Sequence, residues 1–309
     1  MTRTERDGHA PILRRARPPF RSPVSRDSGL TWRSVRGYLV LPHAVPVLVV
    51  MTATALFAYL ATDGTPAPGE LIRLLLAMLG GQLAIGAVNE IVDAELDAVA
   101  KPAKPIPAGV VSVRGALVVT GLGLAAMVGF SASFGLLSLA LCALGTGAGL
   151  VYDLWLKRTL LAWLPYLVAL PLLPVWVWTA LVGFEASVVG LYPLGALAVI
   201  GVYLSQSLPD VASDRGQGID SFSSRLGERR GIGLCWLATL SAPAFALVAA
   251  DPLDAAMRWI WFAAGIVTAL VGIDAGLYLT RPRLGVMACF PLVAASTAVM
   301  GLAWMLAIR

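Results

Sequence analysis

Nine runs of about 20 mostly apolar residues, separated by short polar connections, dominate the chain. Their limits fall near 38–62, 71–89, 113–131, 134–152, 160–182, 187–207, 232–250, 258–279 and 285–307. At about 1.5 Å rise per residue, each is long enough as a helix to cross a hydrocarbon layer about 30 Å thick. The pattern predicts an all-α integral membrane protein with nine transmembrane helices. A transmembrane β-barrel is excluded, because its strands alternate in polarity over short segments rather than running unbroken.

Composition agrees with that reading. Of 309 residues, 58% are hydrophobic and 13% charged, against about 25% charged in a soluble domain; the mean hydropathy is +0.80. Cys142, Cys235 and Cys289 all lie within apolar runs, and His9 and His43 are the only histidines. A thiolate or imidazole metal site and a disulfide scaffold are therefore not expected, nor is a nucleic-acid partner.

Charge sets the expected orientation. Residues 1–36 carry nine arginines among prolines and serines, which predicts a disordered basic cytoplasmic tail ahead of a membrane domain over 37–309. When the connections are assigned alternately to two sides, 20 lysines and arginines fall on one side and three, Arg73, Arg258 and Arg309, on the other. The positive-inside rule then places the amino terminus in the cytoplasm and the carboxy terminus outside, in a membrane of the bacterial cytoplasmic type.

Two acidic clusters sit on the arginine-rich side. Asn89, Asp93 and Asp97 continue the second run with no helix breaker before Pro102; at i, i+4 and i+8 they line one helix face. Asp210 and Asp214 repeat the i, i+4 spacing after the sixth run. Like charges spaced this way destabilise a helix near lipid unless a cation lies between them. Oxygen-only donors suit Mg²⁺, which keeps waters and favours phosphate as a co-ligand. Two such rows facing one another predict a site for two Mg²⁺ across a diphosphate. Lys101, Lys104, Lys157, Arg158 and Arg215 lie at the same depth and are candidate clamps on phosphate oxygens. Tyr152 precedes this set at the end of the fourth run, placed to meet phosphate or a carbocation. Gln82 falls on nearly the same helix face as Asn89, and Asp274 is an intramembrane carboxylate expected to line the same cavity.

Together these residues resemble the UbiA superfamily of membrane-embedded prenyltransferases. Its first signature is matched by Asn89-Glu90-x-x-Asp93-x-x-x-Asp97 and Lys101-Pro102-x-Lys104-Pro105-Ile106-Pro107-x-Gly109, and its second by Asp210-x-x-x-Asp214-Arg215-x-x-Gly218 followed by Arg225-Leu226-Gly227. Tyr152 with Lys157-Arg158 matches a further element. The chain departs from the family at Glu90, where aspartate is usual, and at Leu41-Pro42, where many members have Arg-Pro. The resemblance implies nine helices around a central cavity and Mg²⁺-dependent transfer of an isoprenoid chain from a prenyl diphosphate to a lipophilic, aromatic acceptor. In that role Asn89, Asp93, Asp97, Asp210 and Asp214 hold metal, assisted by Tyr152 and Lys157. Terpene cyclisation without an acceptor is the alternative within the same resemblance. An ion-coupled transporter is the alternative outside it, though transporter sites lie nearer the midplane.

Overall fold

In the computed structural model, residues 37–38, 44–189, 191–249 and 257–307 are described; the basic tail, His43 and Leu41-Pro42 lie outside them. Nine helices among the described residues are long and apolar enough to cross a membrane. They are built on α1 (Ala44–Ala61), α2 (Pro68–Ala100), α3 (Val113–Ala132), α4 (Leu136–Val151), α5 (Leu164–Leu181), α6 (Leu191–Ser207), α7 (Glu228–Ala249), α8 (Met257–Thr280) and α9 (Pro282–Ala307), the fourth span running on to Leu156 and the sixth to Gly216. The chain is an integral membrane protein, all-helical as its hydrophobic pattern requires.

Helices α1, α2, α4, α5, α6 and α9 touch in sequence around a ring, while α3 packs along α2, and α7 and α8 pack behind α6 and α9. With lipid outside, burial of apolar surface gives little reason for helices to associate, and close packing at small residues takes its place. At the α2–α3 contact, a Cβ on Gly80 would stand 2.6 Å from the Gly123 carbonyl oxygen, and one on Gly123 equally close to that of Gly80. These glycines let the two backbones meet.

The connections are folded rather than slack, and they deliver the charged side chains. Prolines 102, 105 and 107 end α2, since proline neither donates to the helix ladder nor lets the residue before it stay helical. The chain then turns back, anchored by buried Ile106 and Val111 against Ala94 and Ala116. Ser112 caps α3, its hydroxyl accepting from the Gly115 N–H at 3.0 Å. Beyond α6, a 3₁₀ turn (Leu208–Asp210) and a short helix (Val211–Gly216) lead to a second short helix (Phe222–Leu226), capped by a reciprocal Ser221–Ser224 box.

Candidate active site

Helix α2 runs eleven residues beyond the apolar run that predicted it, so Asn89, Asp93 and Asp97 occupy its last turns and line one cavity of about 750 Å³. Asp210 and Asp214 line the same cavity from the opposite side. The two acidic rows, 113 positions or more apart in the chain, therefore share a single space, joined by the Lys101 ammonium at 2.6 Å from Asp210 Oδ1.

Lysines and an arginine hold this concentration of negative charge. The Lys104 ammonium, carried back by the proline turn, donates to Asp97 Oδ2 and lies 2.7 Å from Glu90 Oε1. Burial alone would lower the Lys104 pKa, but its hydrogen bonds to Asp97 and Glu90 outweigh that and raise it. Lys157 donates to Asp93 Oδ2, and Arg158 Nη2 donates to Asp93 Oδ1 at 3.1 Å. Those two cations are aimed by an uncommon piece of backbone, a π turn over Tyr152–Leu156 in which the Lys157 N–H reaches back to the Tyr152 carbonyl at 2.8 Å. Such turns insert one extra residue into a helix and rotate the residues beyond them. Among the described residues Asp214 makes no ion pair, and no three His, Cys, Asp or Glu side chains converge on one point as a ready-made metal cage.

A second, mostly apolar cavity of about 260 Å³ adjoins the first; Pro46, Asn89, Tyr152, Tyr166 and Gln206 border both. Tyr152 packs edge-on against Tyr166, with ring centroids 5.3 Å apart, and Tyr166 against Tyr203 at 5.6 Å. Tyr166 donates its hydroxyl proton to Gln206 Oε1 at 2.7 Å. Gln82 lines this inner cavity, as its place on the Asn89 face suggests.

The larger cavity also has an apolar side, made by Val45 and Pro46 of α1 and by Val286, Met287 and Phe290 of α9. Val45 is 55% and Met287 66% exposed although both line the cavity, so among the described residues it opens sideways between α1 and α9.

Two expected members lie elsewhere. Arg215 does not reach the cavity wall; its Nε donates to the Ser224 carbonyl at 2.6 Å and its Nη2 to that of Arg225. Its guanidinium also covers Gly227, whose φ of +76° and whose lack of a Cβ both suit that contact. The backbone carbonyls of the 222–226 helix hold this guanidinium away from the cavity lining. Asp274 lines neither cavity: it is 1% exposed and accepts from Trp236 Nε1 at 2.7 Å. Conversely, Glu90 and Asp153, which the i, i+4 spacing of the acidic rows does not single out, are buried at the site, and Asp153 Oδ1 accepts from Asn89 Nδ2 at 2.6 Å. The one signal for Asp153 was an acid set flush against the end of an apolar run.

Comparison with known proteins agrees with this architecture. The UbiA prenyltransferase family model matches residues 48–284. Digeranylgeranylglyceryl phosphate synthase of Natronomonas pharaonis is 28% identical over 219 residues, 68% of this chain and 77% of that one. Glycinol 4-dimethylallyltransferase of Glycine max is 28% identical over 165 residues, 48% of this chain and 40% of that one. The solved structure of a UbiA homologue from Archaeoglobus fulgidus bound to GPP and Mg²⁺ is similar in fold, with a TM-score of 0.59 at 17% identity, over 86% of this chain and 99% of that one. The chain thus belongs to the UbiA prenyltransferase family and is a membrane-bound prenyltransferase.

Proposed function

We propose that this enzyme transfers an isoprenoid chain from a prenyl diphosphate to a lipophilic, aromatic acceptor, releasing pyrophosphate on the cytoplasmic side of the membrane. The observation that carries the reading is the pair of acidic rows facing one another across a cavity whose wall also holds Lys101, Lys104, Lys157 and Arg158. A solvated transporter site or a purely structural ion-pair network has no need of an apolar flank that opens to lipid.

The donor set fits a hard divalent cation. Every candidate ligand is an oxygen, and the lysines drawn to Asp93, Asp97 and Asp210 are in keeping with rows that attract positive charge. Asn89, Asp93, Asp97, Asp210 and Asp214 would hold Mg²⁺, two ions in this reading. When bound, Mg²⁺ supplies positive charge against the oxygens of the departing pyrophosphate. The relative solved with GPP and Mg²⁺ supports both the ligand class and the metal.

The chain's own residues divide the remaining work. Lys101, Lys104, Lys157 and Arg158 are held at the cavity wall by the acids they pair with, and each carries further N–H groups that can donate to phosphate oxygens. Tyr152 borders both cavities and can present its ring face to an allylic cation. As the bond between C1 and the bridging oxygen breaks, its electron pair leaves on the diphosphate. The acceptor supplies the pair for the new bond to C1 and loses one proton. The isoprenoid tail follows the Val45–Met287–Phe290 side toward lipid, where its hydrocarbon is never transferred to water.

Pyrophosphate release from geranyl diphosphate by purified protein, with Mg²⁺ and with or without a pool of aromatic acceptors, tests the proposal. Acceptor-dependent release is expected, and Asp93→Asn and Asp214→Asn should each abolish it without loss of expression. Normal turnover in either variant would sink the assignment, and release with a defined terpene in the absence of acceptor would reassign the enzyme to cyclisation.

A further inference from the structure

We infer that Arg283 is a docking residue at the mouth of the sideways opening, where it takes the diphosphate group of a bilayer-borne prenyl diphosphate before that group moves inward to the acidic rows. The inference rests on the reading of the outer cavity as the diphosphate site and adds the step by which the substrate reaches it.

Placement is the first ground. Val286, Met287, Phe290 and Pro291 line the outer cavity from α9. At about 100° per residue around a helix, Arg283 falls at the middle of the arc those residues occupy, one turn nearer the start of α9. It continues the cavity-facing stripe outward, past the exposed Met287, to the rim where α9 meets the turn at Arg281.

Charge is the second. Helices α1 and α9 flank the opening, and over the two of them Arg283 is the single charged side chain. It is exposed and pairs with no acid among the described residues, whereas Lys101, Lys104, Lys157 and Arg158 inside the cavity are each paired with one. Its planar fork of five N–H donors is open to an incoming ligand, and that shape fits phosphate oxygens two at a time.

Entry calls for such a group. A prenyl diphosphate dissolved in the bilayer keeps its tail in hydrocarbon and its head at the level of the lipid headgroups. To reach Asp93 and Asp210 the head must pass Val45, Pro46 and Met287, an apolar edge that offers no hydrogen bond in place of water. Arg283 supplies charge-assisted hydrogen bonds at that edge, and the several cations inside then draw the diphosphate on. A phospholipid headgroup carries related phosphate chemistry, but the stripe that Arg283 heads leads into the cavity, which favours the ligand the cavity takes.

The test follows pyrophosphate release from geranyl diphosphate, with Mg²⁺ and the pool of aromatic acceptors in excess, by the full-length protein in phosphatidylcholine nanodiscs. Arg283→Gln should lower kcat/KM for geranyl diphosphate about tenfold with kcat unchanged, because the residue acts on arrival and not on the bond that breaks. Arg283→Lys, which keeps the charge and loses the fork, should return to within about threefold of wild type. Salt at about 0.5 M should narrow the gap between wild type and Arg283→Gln to about twofold. Arg114→Gln removes an equal charge from the start of α3, which packs along α2 away from the opening, and should leave kcat/KM as it is. An unchanged kcat/KM in Arg283→Gln, a loss confined to kcat, or an equal loss in Arg114→Gln would overturn the inference. So would a loss seen only in discs that contain phosphatidylglycerol, which would assign the arginine to a phospholipid headgroup. Wild-type turnover with an indifferent Arg283→Gln removes the docking role alone; a wild type that turns over no prenyl diphosphate removes the diphosphate reading, and the docking role with it.

Discussion

Lys104 shows how one side chain can hold an acidic site together before any ligand arrives. Its ammonium serves both Asp97 and Glu90, and the Glu90 side chain is 2% exposed. Removing one partner of a buried pair leaves the other charged and unsolvated, at about 3–5 kcal/mol. Lys104→Gln should therefore lower thermal stability in detergent markedly, and adding Glu90→Gln should recover part of the loss; a double variant no better than the single one would refute the pairing. Because the folded-state pKa of Lys104 is raised above 10.5, its contribution is fully present below that value and is lost as pH rises through the higher folded one. The stability gap between wild type and Lys104→Gln should then stay flat from neutral pH into the mildly alkaline range and close only beyond it. The sequence made Lys104, Asp93 and Asp97 visible through their spacing. It could not reveal Asp153 or the diversion of Arg215, since both depend on a turn geometry and on carbonyls that exist only once the chain has folded.

At the scale of elements, hydrophobic periodicity located every spanning helix to within a few residues but stopped α2 near residue 89, where apolar composition stops; the helix continues to Ala100. Backbone hydrogen bonding persists past the apolar run because nothing breaks it before Pro102. The same contrast applies to the α2–α3 contact, where shape rather than polarity decides. Gly123→Val places two methyl groups against the Gly80 carbonyl and should destabilise the fold by about 1–3 kcal/mol or more. Gly121→Val, on the same helix with open space around it, should have little effect. Unfolding midpoints of the two variants in one detergent check this, and equal midpoints would show that the helices separate easily.

For the molecule as a whole, the ring of six helices brings together residues that no local pattern connects, such as Lys101 and Asp210. Fold class was legible from the sequence, and the facing of the two acidic rows followed only from their similar chemistry; the division into a charged outer and an apolar inner cavity was not legible at all. Charge bias along the chain predicts that the loop bearing Asp220 is cytoplasmic and that bearing Asp63 is outside. In a background lacking the native thiols, Asp220→Cys should react with a membrane-impermeant maleimide only from the cytoplasmic face and Asp63→Cys only from the opposite one. Reversed labelling would invert the site's orientation.

The sideways opening between α1 and α9, with Met287 lining the cavity and exposed at once, alters what concentration means for this enzyme. A prenyl substrate entering there comes from the bilayer, and the prenylated product returns to it, while pyrophosphate departs into water. Saturation by the lipid reactant then tracks its mole fraction among the surrounding lipids, not its amount per litre, so diluting the protein in buffer leaves occupancy unchanged and diluting it in lipid lowers it. The two products enter different phases, and reversal of the reaction requires them to meet again at one interface.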